Sequence, residues 1–150
     1  MHLLILNGPN LNLLGLREPA LYGAQTYAAL CQTCEDACRA RDVTCTLFQS
    51  NHEGALVDAI QDAYGKADGI VLNPAAYTHT SVAILDALKA VHLPAVEVHL
   101  TAVAEREPFR HVSFAGLACE KTITGQGFAG YVQAIDYLAE RYGASNGQGA

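Results

Sequence analysis

Short apolar runs alternate with segments of helical periodicity along almost the whole chain of 150 residues. The runs cover residues 3–6, 43–48, 69–72 and 95–99, and a fifth lies between 113 and 124. Runs this short, bounded by Asn, Gly and Pro, are typical of buried strands. Helical spacing of apolar residues fills the intervals at about 26–41, 53–64 and 81–91, and again from about residue 127.

Strands that alternate with helices in this way form a parallel sheet with helices on both faces. Right-handed crossovers leave few ways to order the strands. We therefore predict an α/β fold, a flavodoxin-like three-layer sandwich with a five-stranded parallel sheet in the order 2-1-3-4-5. Residues 1–142 are predicted to form a single domain, and the small, polar residues 143–150 a disordered tail.

The composition and charge of the chain limit the kinds of molecule that it is expected to bind. Apolar residues make up 51% of the chain and charged residues 16%, as in globular proteins. The net charge of −6 and the lack of a Lys/Arg cluster argue against nucleic acid or an anionic membrane as partner. The first strand begins at residue 3, which leaves no room for a signal peptide, and no apolar run reaches membrane-spanning length. We therefore expect a cytoplasmic protein.

Three of the five cysteines, Cys31, Cys34 and Cys38, are spaced by three and four residues. This spacing puts them on one face of the first helix. We interpret them as small core residues, and a metal or redox cluster is the alternative.

Polar residues gather after the first, third and fourth strands. In a sheet of the predicted order, strands 1 and 3 flank the point where ligands bind. Four side chains there could bind the hydroxyls of a polyol, with turn formation as the alternative: Asn10, Asn12, Asn73 and His79. Thr101 and Arg110 could hold a carboxylate. Thr78 or Thr80 is expected to cap the next helix.

Glu97 and His99 alternate on the fourth strand, so both point to the same face of the sheet. A carboxylate beside an imidazole fixes its tautomer, which suits a general acid near neutrality. A structural ion pair at a sheet edge is the alternative.

Arg17 and Tyr22 lie five residues apart on the loop after the first strand. A tyrosine with an ordinary pKa of ~10 needs a fall of roughly 2–3 units, or about 3–4 kcal/mol, to act as a base near neutrality. One guanidinium nearby supplies about 4 kcal/mol at an effective dielectric constant of ~20. The pair could therefore provide a base, and an exposed Tyr-Gly turn is the alternative.

Six motifs, in chain order, resemble those of the type II 3-dehydroquinate dehydratases, small flavodoxin-like enzymes of the shikimate and quinate pathways. They are LNGPNLNLLG at 6–15, REPALYG at 17–23, QSNHEG at 49–54, NPAAYTHTSVA at 73–83, EVH at 97–99 and REPFRH at 106–111.

The resemblance implies an anti elimination of water from 3-dehydroquinate to 3-dehydroshikimate through an enolate, without metal or cofactor. By position, Tyr22 is then the base, and Arg17 keeps it reactive. A water held near Asn10 stabilises the enolate. His99, oriented by Glu97, protonates the departing hydroxyl.

The resemblance also implies a set of binding residues. The ring hydroxyls and the carboxylate are held by Asn73, His79, Arg110 and the backbone at Leu100 and Thr101. Residues 16–24 form a lid. The family assembles as trimers arranged into dodecamers, and Asp86 matches the acidic residue that reaches a neighbouring subunit's site.

The chain departs from the family after the fourth strand, where the family usually has Ser-Asn and this chain has Thr101-Ala102. Thr101 keeps a hydroxyl, whereas Ala102 lacks the amide that would help to order the loop. One alternative function is therefore a weak or inactive binder of a cyclic polyol carboxylate. A second, a flavin or phosphoacceptor module, would need a phosphate loop or an acidic cluster, and neither is present in the sequence.

Overall fold

The computed structural model describes residues 1–16 and 25–143. These residues form strands β1 His2–Asn7, β2 Thr44–Gln49, β3 Gly69–Asn73, β4 Ala95–His99 and β5 Lys121–Thr124. The α-helices are α1 Tyr27–Ala40, α2 Glu53–Ala63, α3 Val82–Val91 and α4 Ala129–Leu138, and a π-helical turn, Ala139–Gly143, continues α4.

The strands form one parallel sheet in the order β2-β1-β3-β4-β5, which confirms the predicted fold. All residues of β3 and β4 are buried, as expected for central strands of a parallel sheet covered on both faces. The tail predicted to be disordered falls largely on residues 144–150, which lie outside the described part of the chain. The domain boundary at residue 142 stays a prediction.

Alternate residues of the central strands supply two apolar layers. On one face, residues such as Leu3 and Ile5 belong to a core that includes α1 and α4. On the other face, Leu4 and Leu6 belong to a core that includes α2 and α3. Each fully buried aliphatic side chain stabilises the fold by about 1.5–3 kcal/mol, so both helical layers are held by the strand pattern itself.

The cysteines of α1 pack into this core. Cys34 and Cys38 are buried in the layer formed with α1 and α4, which confirms their interpretation as core residues, and Cys31 is half-buried. Burial raises the pKa of Cys38 to about 12. The thiol is therefore protonated near neutrality and unreactive.

One local prediction needs correction. Neither Thr78 nor Thr80 caps α3, because Ser81 Oγ accepts the hydrogen bond from the Ile84 N–H at 2.9 Å. The fifth strand lies within the predicted interval 113–124, as β5 at Lys121–Thr124, and an earlier part of that interval forms a 3-10 turn at Ala115–Ala118.

Among the described residues, every helix is too short or too polar to span a membrane. The cytoplasmic location stays a prediction.

Candidate active site

The carboxyl ends of β1, β3 and β4 open into one cleft. Seven of the residues singled out from the sequence line it: Asn10, Asn73, His79, His99, Leu100, Thr101 and Arg110. They come from distant parts of the chain, and the strand order brings them together because β3 lies between β1 and β4. The cleft therefore stands at the point where the order of strands reverses, the usual ligand site of such sheets.

Two other predicted site residues, Glu97 and Asp86, do not line this cleft. Two more, Arg17 and Tyr22, lie outside the described residues, as does most of the predicted lid at 16–24. Glu97 is fully buried behind His99. Asp86 is exposed on α3.

The loop that carries Asn10 is held by Gln49 and Asn51, two residues of the motif at 49–54 for which no role was predicted. Asn10 adopts a left-handed backbone conformation (φ 71°), and its N–H donates to Asn51 Oδ1 at 3.0 Å. Gln49 Nε2 donates to the Gly8 carbonyl at 3.1 Å. Any Cβ at Gly8 would lie 2.4 Å from the Pro74 carbonyl oxygen, so only glycine allows the β1 and β3 loops to approach this closely.

Asn73 belongs to what we call the amide cluster, made of Asn7, Tyr27, Asn73 and Tyr131. Asn7 and Asn73 are register partners at the ends of β1 and β3. The Tyr131 hydroxyl donates to Asn7 Oδ1 at 2.7 Å, and Asn7 Nδ2 donates to the Tyr27 hydroxyl at 3.5 Å. Burial raises the pKa of Tyr27 to about 12 and that of Tyr131 well above its usual range, against opposing hydrogen bonds from Asn7 and Asn73. Both phenols therefore stay protonated near neutrality.

The tautomer of His79 follows from the contact between its ring and a backbone carbonyl. Its Nδ1 lies 2.7 Å from the carbonyl oxygen of Val112, which can only accept a hydrogen bond. Nδ1 therefore carries the hydrogen. In the neutral ring, Nε2 remains as an acceptor for a hydroxyl group of a ligand in the cleft.

Two arginines line the cleft on the side of the loop after β4. Arg110 Nε donates to Glu107 Oε2 at 2.6 Å, and its guanidinium lies over the ring of Phe109. Glu107, which had no predicted role, thus holds Arg110 in place. Arg106 also lines the cleft and was missed, because one arginine of a charged loop looks like any other in sequence.

Glu97 lies at the centre of what we call the carboxylate cluster, with Thr78, His99, Ser113 and Thr122. Its Oε2 accepts hydrogen bonds from the Thr78 hydroxyl, from Ser113 Oγ at 2.5 Å and from His99 Nε2 at 3.3 Å. Its Oε1 accepts from Thr122 Oγ1 at 3.2 Å. Burial acts to raise the pKa of Glu97, but His99 and the hydroxyls outweigh it and lower the pKa to about 2. The carboxylate is therefore an anion near neutrality.

The Glu97 carboxylate determines the tautomer of His99. Because Glu97 can only accept, His99 Nε2 carries a hydrogen, and Nδ1 is the nitrogen left for chemistry in the cleft. When the ring is protonated, Nδ1–H can donate a proton to a bound group. Since β4 lies between β3 and β5, the pair is not at a sheet edge, unlike the alternative considered above.

Backbone hydrogen bonds order the loop in which Ala102 replaces an amide side chain. The Gly125 N–H donates to the Thr101 carbonyl at 3.0 Å, and the Gly127 N–H donates to the Leu100 carbonyl at 3.1 Å. Gly125 has φ +74°, and a Cβ there would lie 3.3 Å from Ala102 Cβ. The glycine turn therefore fits closely against the loop.

Comparisons with known proteins agree on one family. The family model described as "Dehydroquinase class II" matches residues 1–139. The chain is 53% identical to 3-dehydroquinate dehydratase 2 of Pseudomonas putida, over 92% of this chain and 93% of that protein. It is 49% identical to catabolic 3-dehydroquinase 1 of Neosartorya fischeri, over 91% of each. The crystal structure of the type II dehydroquinase of Butyrivibrio crossotus superposes with a TM-score of 0.90 at 49% identity, over 92% of this chain and 97% of that one.

Proposed function

This chain belongs to the class II dehydroquinase family, and from that premise we propose how its residues divide the reaction among them. Its activity is the elimination of water from 3-dehydroquinate, a hydro-lyase reaction of the shikimate pathway. The observation that carries the assignment of roles is the buried Glu97–His99 pair beside the cleft.

Tyr22 is the proposed base, and Arg17 lowers its pKa. The Tyr22 oxygen takes the proton from the carbon beside the ketone, and the electron pair of that C–H bond forms the enolate. The family motif at 17–23 supports this assignment. So does the state of Tyr27 and Tyr131 behind the cleft, because their raised pKa values make both unsuitable as bases.

His99 is the proposed acid. As the enolate collapses, the C–O bond to the departing hydroxyl breaks and the new carbon–carbon double bond forms. His99 Nδ1 gives its proton to that hydroxyl, which leaves as water. The ring then becomes the neutral tautomer with hydrogen on Nε2, the form that Glu97 stabilises. Asn10 holds the water that donates to the enolate oxygen.

The remaining residues of the cleft bind the substrate. We assign its hydroxyls to Asn73, His79 and Arg110, and its carboxylate to the backbone at Leu100 and Thr101. The acceptor nitrogen of His79 supports this division, since a hydroxyl can donate to it. None of the proposed steps uses a cofactor.

The proposed assembly is a homo-oligomer, a dodecamer built from trimers, in which Asp86 reaches the cleft of a neighbouring subunit. Its position supports this, since Asp86 is exposed on α3 and does not line the cleft of its own chain. The alternative of an inactive binder is not favoured. The feature that supported this alternative was the Thr101-Ala102 loop. That loop is held in place by backbone hydrogen bonds from Gly125 and Gly127.

The test is ultraviolet absorbance after 3-dehydroquinate is added to chelator-treated protein, with Tyr22→Phe alongside. The product is a conjugated enone that absorbs ultraviolet light, whereas the substrate is not a conjugated enone. We expect absorbance to rise with the wild type only. A variant that keeps more than a few per cent of the wild-type kcat would remove Tyr22 from the role of base.

A further inference from the structure

Two hydroxyl groups that do not line the cleft meet at the carboxylate oxygen that holds His99. Thr78 is fully buried, and its hydroxyl donates to Glu97 Oε2. Ser113 Oγ accepts from the Gly116 N–H at 2.9 Å, which leaves its own hydrogen free to donate to the same Oε2 at 2.5 Å. The two hydroxyl oxygens lie 2.6 Å apart. Every polar contact described for Glu97 Oε2 is thus with a hydrogen-bond donor.

These hydroxyls sit on two turns that are tied to each other. The Phe114 N–H donates to the Thr78 carbonyl at 2.8 Å, which joins the turn after β3 to the segment before β5. A Cβ at Gly116 would lie 3.1 Å from both Glu97 Oε1 and Ser113 Oγ, so glycine leaves the space that the carboxylate occupies. The position of Glu97 is therefore set by two segments from outside its own strand.

We propose that Thr78 and Ser113 are positioning residues for the dehydration, fixing the Glu97 carboxylate so that His99 directs Nε2–H to it and offers Nδ1 to the cleft. Neither hydroxyl lines the cleft, so both act through Glu97. The inference rests on the acid role of His99 proposed above. Thr78, which was expected from the sequence to cap a helix, is thereby given a part in the reaction.

The charged and titratable surroundings of the pair allow a pH test. Cys119 is a further titratable group near Glu97 in the described part of the chain, and burial and that carboxylate raise its pKa to about 12, so it stays neutral. His79, Arg106 and Arg110 line the cleft beside His99. Loss of one hydroxyl donor moves the pKa of Glu97 upward from about 2, toward its ordinary 4.5. The carboxylate then begins to protonate at a pH where the wild-type group is still an anion.

The experiment compares Thr78→Val, which keeps the shape and loses the hydroxyl, with Thr78→Ser, which keeps the hydroxyl. We expect Thr78→Val to lower kcat about tenfold and to leave KM within about twofold. As the pH is lowered below about 5, the kcat of this variant should also fall more steeply than that of the wild type. Thr78→Ser should stay within about twofold of the wild-type kcat. Thr46→Val, on the exposed edge strand, is the matched control and should leave kcat unchanged.

Ser113→Ala provides a second test should Thr78→Val fail to fold, and the same changes in kcat and pH profile are expected. The inference is overturned if both hydroxyl-free variants keep kcat within twofold, or if Thr78→Ser is impaired as much as Thr78→Val. Glu97→Gln and His99→Ala separate this outcome from failure of the proposed function. If those two variants retain the wild-type kcat, the acid assignment itself is wrong.

Discussion

Two buried polar clusters lie on opposite faces of the same sheet, and they differ in charge. The carboxylate cluster is centred on Glu97, a register partner of Leu72 on the face covered by α2 and α3. The amide cluster is centred on Asn7, on the face of Leu3 and Ile5, covered by α1 and α4. Glu97 and Asn7 are equally inaccessible to solvent. Depth of burial therefore does not distinguish them, and their hydrogen-bond partners do.

A buried anion costs several kcal/mol of desolvation unless donors surround it, whereas a buried amide costs less and is satisfied by ordinary hydrogen bonds. Among the described residues, Glu97 is the buried acidic side chain, and it contacts a residue of the cleft, His99. The neutral cluster joins β1 to α4 through the Asn7–Tyr131 bond and contains no group that can exchange a proton near neutrality. We infer that the first cluster serves chemistry and the second serves the architecture of the cleft.

The largest effect of a substitution on kcat is expected at His99. His99→Ala removes the proposed acid and should lower kcat at least 100-fold, the lower range for general acid catalysis. The free energy of unfolding should also fall by about 1–3 kcal/mol, because the buried Glu97 carboxylate loses one of its hydrogen-bond donors. Steady-state kinetics with urea unfolding measure both quantities. A kcat within tenfold of the wild type would contradict the division between the clusters.

A smaller effect is expected in the pH dependence of stability. The folded-state pKa of Glu97, about 2, lies below its ordinary 4.5. The anion therefore stabilises the fold above about pH 4.5 and loses this contribution as the pH falls toward 2. Between pH 6 and pH 3 the wild type should lose about 2 kcal/mol more than Glu97→Gln, which has no proton to bind. Equal losses in urea unfolding at the two pH values would show that Glu97 is not held as an anion.

The smallest effects are expected in the amide cluster. Tyr131→Phe leaves Asn7 Oδ1 without the donor at 2.7 Å and should lower the free energy of unfolding by about 1–2 kcal/mol. kcat should stay within about threefold. Tyr27→Phe is the matched control, since its hydroxyl accepts a long contact of 3.5 Å from Asn7, and it should cost under about 1 kcal/mol. A hundredfold loss of kcat in Tyr131→Phe would place this cluster in the chemistry as well.

Periodicity made much of the site predictable. Alternation on a strand placed Glu97 and His99 on one face, and the pair lies 3.3 Å apart. The strand order brought Asn10, Asn73 and His99 into one cleft. Both results depend on regular geometry, in which the position of a residue in an element fixes its direction.

The site residues that were not predicted lie mostly on turns and irregular segments, where the sequence has no helix or strand periodicity. Thr78 was expected to cap a helix, yet it bonds Glu97, because the 3-10 turn Ala75–His79 directs it inward. Ser113 and Arg106 lie on irregular segments whose paths depend on tertiary contacts. Tyr131 lies on α4, and its hydroxyl contact to Asn7 spans 124 residues of sequence. Such contacts follow from the assembled fold and from no local pattern.

The most direct test of the central claim, that base and acid are separate groups and that the carboxylate cluster serves only the acid, uses His99→Ala in deuterium oxide. 3-Dehydroquinate is incubated with the variant and then recovered for mass spectrometry. We predict that deuterium enters at the carbon beside the ketone while dehydration is nearly lost, because the base still forms the enolate and the hydroxyl cannot leave. Loss of exchange together with dehydration, or dehydration at the wild-type rate, would contradict the account.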